Sequence, residues 1–223
     1  MQTWKRRVGT LLLMAGLLHP ATGFALTLGQ IDTFQDGTVQ NWDAGLGGVE
    51  PQYPPEIIPG GGPEGINDAF MQIESVEGDL PGSKISVFNL VQWAGNYPAA
   101  GVNAITMSLR NTGPNGIYAR IVVADEWSAA FRDPDNLAVS TQPLFLPPHG
   151  DWVTAVFSLR PNDLTVLRGN LETALTNAHG LRIIHNDQAT FPPPTITARL
   201  GVDNIKSVRQ DSLPFLPLLL LGN

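Results

Sequence analysis

Apolar and polar positions alternate in short runs along this chain, and turn residues separate the runs. In residues 117–123, Ile117, Ala119, Ile121 and Val123 share one side, and Tyr118, Arg120 and Val122 share the other. Val153, Ala155, Phe157 and Leu159 form the apolar side of residues 152–159. Ile105, Met107 and Leu109 alternate with Thr106, Ser108 and Arg110; Ile196, Ala198, Leu200 and Val202 alternate with Thr195, Thr197, Arg199 and Gly201. A period of two is the strand signature. Further strands are predicted over 69–76, 84–88, 137–141 and 181–185. Helical signal is brief: Asn162-Asp163 predicts a capped turn through Leu167, and 171–176 predicts a second one.

One apolar face per strand, with a mixed opposite face, predicts an all-β fold: a two-sheet antiparallel jelly-roll β-sandwich. Neither helical stretch is long enough to cover a parallel sheet. With 23 Gly and 19 Pro among 223 residues, turns are frequent. The longest connection, Gly45 to Gly65, is rich in both, and loops of that length are commonly functional. A second Pro-rich link, Phe191 to Pro194, precedes the last strand.

The amino-terminal end follows a different rule. Lys5, Arg6 and Arg7 precede an uncharged apolar run from Val8 to Leu18, and Gly23-Phe24-Ala25 supplies small residues at the cleavage positions. That order reads as a secretory signal peptide over 1–25. The run is about half the roughly 20 residues a membrane span needs. The sandwich is expected over 26–210. A short apolar tail follows over 211–223, interrupted by Pro214 and Pro217. The signal carries three of the 13 basic residues and none of the 20 acidic ones, which leaves 10 against 20 and a formal charge of −10. Such a chain lacks the basic footprint for nucleic acid. The absence of cysteine removes disulfides, thiolate catalysis and Cys-based zinc sites. The expected destination is the periplasm or the extracellular space, with no transmembrane anchor and an oligomeric state left open.

The segment Asp32-Thr-Phe-Gln-Asp-Gly-Thr-Val-Gln-Asn-Trp42 resembles the opening of galactose-binding-like jelly rolls, which include carbohydrate-binding modules. Leu200-Gly-Val-Asp-Asn-Ile205 is similar to their closing strand. The chain also resembles bacterial exported proteins of this sandwich type, many with a sorting segment of the PEP-CTERM type. Its tail departs from that pattern, with no adequate spanning helix and no terminal basic cluster. The resemblance implies one structural calcium held by Asp36 and Asp203, with backbone carbonyls near Asp68. It commonly places Glu where Gln35 stands. The alternative is that Asp36 caps the Asp-Gly turn and Asp203 bonds loop backbone.

No Gly-x-Ser-x-Gly elbow is present. His149, His179 and His185 read as structural, with a metal ligand in His185-Asn-Asp187 as the alternative that spacing alone supports weakly. Asp125 and Glu126 are adjacent, so on a strand they point to opposite faces and cannot share a glycosidic bond. Asp133-Pro-Asp135-Asn136 reads as a solvated turn. Aromatics remain. Trp42 is expected in the core and Trp152 at a sheet edge. Trp127, Tyr97, Trp93 and Tyr53 are the candidates to stack on sugar, with Asp125 and Arg132 to bond hydroxyls. The expected function is an exported, non-catalytic binding module for carbohydrate or a cell-surface polymer. The alternatives are a structural or adhesive envelope protein without a small ligand and, last, a hydrolase whose site no motif reveals.

Overall fold

The computed structural model describes residues 26–44, 52–79, 82–125 and 134–211. The strands in chain order are β1 (Ile31–Asp32), β2 (Asp43–Ala44), β3 (Glu56–Ile58), β4 (Phe70–Ser75), β5 (Ser86–Asn89), β6 (Ala104–Asn111) and β7 (Ile117–Ala124). They continue with β8 (Leu137–Ser140), β9 (Leu144–Leu146), β10 (Val153–Ser158), β11 (Leu164–Arg168), β12 (Leu181–His185) and β13 (Ala198–Val208); the helix α1 (Leu171–Thr176) lies between β11 and β12. They form two antiparallel sheets. The first runs β10-β6-β13-β4-β3, with β1 also on β13. The second runs β11-β8-β7-β12-β5-β2, with β9 also on β7. The two-sheet sandwich is therefore the observed architecture.

The core lies between the sheets, where alternation placed it. Met107, Leu109, Leu200, Val202, Met71 and Ile73 come from the first sheet and Ile117, Ile121, Val123, Leu181 and Ile183 from the second. The second sheet also buries its outer face. Val122, Ala124, Leu137, Val139 and Ile184 form a separate apolar cluster there, against which Leu90, Leu167, Ala189 and Phe191 pack. Arg182 lies buried on that face, its guanidinium 4.8 Å from the Phe88 ring centre and 5.6 Å from that of Phe191. Arg120 is also buried there, and it donates to the carbonyls of Ser140, Thr141, Asn186 and Asp187. The mixed outer pattern of β7 and β12 thus marks charged groups committed inside the protein.

Two expectations change. The turn predicted from Asn162 through Leu167 ends at Asp163 as a 3-10 turn, and Leu164–Arg168 is strand β11, paired with β8. Leu164 points into the core, and pairing with an existing strand outweighs a five-residue helix that could close few internal bonds. The long connection contains β3, which extends the first sheet beyond β4. The predicted helix 171–176 is present, capped by the Asn170 side chain accepting from the Thr173 N–H.

Strand β13 organises the first sheet. It pairs with β6 along one side. On the other it pairs with β4 through Val202, then with β1 from Ile205. Asp203 and Asn204 fall at this change of partner and within a register shift; Asn204 is left-handed at φ 51°.

If the outer face of the second sheet is a true interior, its residues carry core-sized stability. Ile184→Ala is expected to destabilise by about 2–5 kcal/mol, like the inward Ile183→Ala. Urea unfolding measures both, and a loss below about 1 kcal/mol at Ile184 alone would show that this face is open.

Candidate functional site

The opening loop folds around a buried carboxylate. Asp32 Oδ2 accepts the indole N–H of Trp42 at 2.8 Å and that of Trp93 at 2.7 Å. Gln92 Nε2 reaches the same oxygen at 3.3 Å and Oδ1 at 3.4 Å. The residue is 6 % exposed. Burial holds its pKa above the usual carboxylate value, and the Trp93, Trp42 and Gln92 bonds offset part of that.

Asp32 lines an open surface cavity of about 640 Å³ together with Asp36, Thr38, Val39, Gln40, Asn41 and Gln92. Asp36 Oδ1 accepts from the Thr38 N–H and hydroxyl, both at 2.9 Å, and Oδ2 accepts from Gln40 Nε2 at 3.2 Å. The Thr38 backbone bond and those from Gln40 and the Thr38 hydroxyl lower its pKa. Gln92 Nε2 donates to the Gln40 carbonyl at 2.6 Å, and Asn41 Nδ2 donates to Gln92 Oε1 at 3.1 Å. Phe34, Gln40 and Asn41 are left-handed without being glycine. Such strain persists only where surrounding bonds hold it.

A second polar cluster sits where β13 changes partner. Gln35 Nε2 donates to Asp68 Oδ1 at 2.6 Å and to the carbonyls of Thr33 and Ala69, each at 3.1 Å. Asp68 Oδ2 accepts the Glu64 N–H at 2.7 Å. The loop before Asp68 needs glycine at 62, because a Cβ there would stand 2.5 Å from Asp68 Oδ2. Asp203 is fully buried, and its Oδ1 has no hydrogen-bond partner among the described residues. Burial pushes the Asp203 carboxyl up to about 7, with the Asp68 and Glu64 charges acting in the same direction and the Asn204 backbone bond against them.

The groups of this cluster are oxygen donors of the kind a hard cation uses. Calcium takes six to eight oxygen ligands, carboxylates and carbonyls among them. Asp68, Asp203 and the Thr33 and Ala69 carbonyls are the oxygens such a set would draw on, while the Gln35 amide is oriented by the Ala69 N–H, which its Oε1 accepts at 3.4 Å. Among the described residues no three His, Cys, Asp or Glu side chains gather as a metal site, so backbone and amide oxygens would have to complete it.

The structure separates the predicted residues. Asp68 and Asp203 lie at one junction. Asp36 does not join them, since its oxygens close its own turn and face the cavity. Trp93 and Tyr97 are fully buried and present no ring face to a sugar. Trp93 is drawn in by Asp32, and the Tyr97 hydroxyl donates to the Trp93 carbonyl at 3.0 Å. Tyr53 is half-buried in its loop. Asp125 accepts from the backbone and side-chain nitrogens of Asn136, which ties the ends of the β7–β8 connection together. Trp127 and Arg132 lie outside the described residues. His185 Nδ1 accepts the Tyr118 N–H, a structural role. Sequence reasoning missed Asp32, Gln40, Asn41 and Gln92. The signal available was a strand-borne Asp within reach of a Trp-containing turn.

The Asp203 environment predicts a pH dependence. Its folded pKa lies above the unfolded value near 3.8, so the stability it contributes is complete below that value and is lost as pH rises through about 7. In chelator, the melting temperature is expected to fall between pH 5 and 8 more steeply in the native chain than in Asp203→Asn. His185, whose pKa burial lowers, acts in the opposite sense. The comparison between the two chains isolates the carboxyl. Identical slopes would show that Asp203 is not so placed.

No known family pattern matches the chain, and no curated protein matches its sequence. Among solved structures it is similar to the family 11 carbohydrate-binding module of a cellulosomal cellulase of Clostridium thermocellum. That match has 14% identity and a TM-score of 0.50, and it covers 82% of this chain and 96% of that one. It is also similar to part of an exo-β-agarase, at 10% identity and a TM-score of 0.52, over 84% of this chain and 25% of that one. At these identities the likeness shows a shared sandwich fold.

Proposed function

We propose that the chain is an exported, non-catalytic carbohydrate-binding module acting on a polysaccharide or cell-surface polymer in the periplasm or beyond. The observation that carries this reading is the open cavity over Asp32, lined by hydroxyl, amide and carboxylate groups. It lies on a sandwich of the kind that the family 11 carbohydrate-binding module adopts. Converging polar groups of this type fix the orientation of hydroxyl-rich ligands. Two features support binding over hydrolysis. Asp32 is committed to two indole donors and Asp36 to its own turn, whereas a glycosidase needs an acid and a partner carboxylate free to face one bond. Export rests on the basic, apolar and small-residue order of residues 1–25 and on the resemblance to exported bacterial proteins that carry PEP-CTERM-type segments. The signal and the apolar tail lie outside the described residues. Among the described residues no helix is long and apolar enough to cross a membrane.

On the same reading, one calcium ion joins Asp68 to Asp203. It would relieve the repulsion between two buried carboxylates and lock β13 to the loops that precede β4 and follow β1.

Two measurements test these statements. On a polysaccharide array the mature domain is expected to retain at least one glycan, and Gln92→Ala is expected to weaken retention by about tenfold. Self-association with no glycan retained would replace this reading with the adhesive one. Calcium at about a hundred times its dissociation constant is expected to raise the melting temperature by roughly 5–10 °C over chelator. Asp203→Asn is expected to abolish the rise. No shift in the native chain at saturating calcium would remove the ion from the proposal.

A further inference from the structure

The cavity over Asp32 has a lopsided inventory of hydrogen-bonding groups. Most of its donors are turned onto its own acceptors, with one N–H each of Gln40 Nε2 and Asn41 Nδ2 left over. The Trp42 and Trp93 indoles donate to Asp32, the Thr38 hydroxyl and Gln40 Nε2 donate to Asp36, and Asn41 Nδ2 donates to Gln92. Gln92 Nε2 is spent on the Gln40 carbonyl at 2.6 Å. What is left is mostly acceptor capacity. Asp32 Oδ1 meets only the long 3.4 Å contact from Gln92, although the residue is 6 % exposed. Asp36 is exposed, so the outer lone pairs of its carboxylate are open to a ligand. Among the described residues, two carboxylates line the cavity, and no Lys, Arg or His does.

A ligand complementary to this inventory brings donors and positive charge. An ammonium group supplies three donors and one charge. A neutral sugar hydroxyl supplies one donor and no charge. A uronate adds negative charge to a site that already holds two. Charge-assisted hydrogen bonds are roughly twice as strong as neutral ones. The acidic character of the chain outside its signal, at −10, attracts the same class of ligand at longer range. Val39 gives the cavity an apolar patch for the ring hydrogens of a sugar.

Resting on the carbohydrate-binding reading above, we propose that this cavity selects sugars bearing a free protonated amine, such as unacetylated amino-sugar units of a polymer, over neutral and acidic sugars.

The test is calorimetric titration of the full chain at low salt and pH 6. The probes are three β-1,4-linked tetramers: glucosamine, N-acetylglucosamine and glucose. The glucosamine tetramer is expected to bind at least roughly tenfold tighter than the other two. That advantage is expected to shrink as salt rises. Asp36→Asn, which keeps the size of the side chain and still caps the turn, is expected to remove most of it. Asp79→Asn, on the turn after β4, is expected to leave it intact. Equal or tighter binding of a neutral tetramer overturns the amine preference and leaves the carbohydrate reading standing. An equal loss in Asp79→Asn shows diffuse attraction to the acidic chain and overturns the assignment to this cavity. Binding of none of the three overturns the preference, and an empty polysaccharide array alongside it overturns the carbohydrate reading too.

Discussion

One carboxylate holds the opening of this sandwich together. Asp32 accepts from two buried indoles whose residues stand ten and 61 positions away in the chain. A buried carboxylate without such donors would be expelled or neutralised, and a buried indole N–H without an acceptor costs about 1–3 kcal/mol. Each group makes the others tolerable. The result fixes β1, the turn from Phe34 to Trp42 and the segment after β5 in one arrangement. It also leaves one face of the carboxylate toward the cavity. The bond set that stabilises the core corner therefore also shapes the candidate binding surface.

The same end of the molecule carries a second constraint. Strand β13 cannot pair with β4 and β1 at once, so it hands over from one to the other near Asp203. The handover breaks the ladder, and a left-handed Asn204 and a buried carboxylate occupy the gap. Backbone carbonyls released from regular pairing are raw material for cation binding, and those of Thr33 and Ala69 converge here with Asp68. The polar cluster at Asp68 and Asp203 and the cavity both draw on the turn that follows β1, through Gln35 on one side and Asp36 on the other.

Much of this fold was legible from alternation. Strands such as β6, β7, β10 and β13 are long enough for a period of two to stand out, and their inward residues form the core. Strands β1, β2 and β3 have two or three residues each, too few to show a period. Leu164–Arg168 was misread because helix and strand patterns coincide over five residues, and tertiary pairing with β8 decided between them. The site was less legible. Exposed aromatics are the usual sign of sugar binding, and that rule pointed to Trp93 and Tyr97. It failed because the acceptor that draws Trp93 inward comes from a distant strand. Asp36 looked like a metal ligand by its place in the opening motif, yet the nearby Thr38 and Gln40 satisfy it first. Asp68 and Asp203 share the junction because strand order, which no local pattern encodes, brings position 68 beside position 203.

The pairing of β1 with β13 also has a mechanical side. Gly29 donates to the Ser207 carbonyl, Ser207 donates back to Gln30, and the Ser207 hydroxyl bonds Thr27. These bonds lie at one end of an antiparallel pair, and beyond them Leu26 is held by the Ala94 carbonyl and Gln210 by Asn103. A pull between the two flanking segments loads them one after another, as a zipper does, and never all together as in shear. Tension would therefore reach the Leu26–Ala94 and Gln210–Asn103 bonds first and then advance along this seam toward Asp32, so that the cavity over it is among the last places to feel the pull.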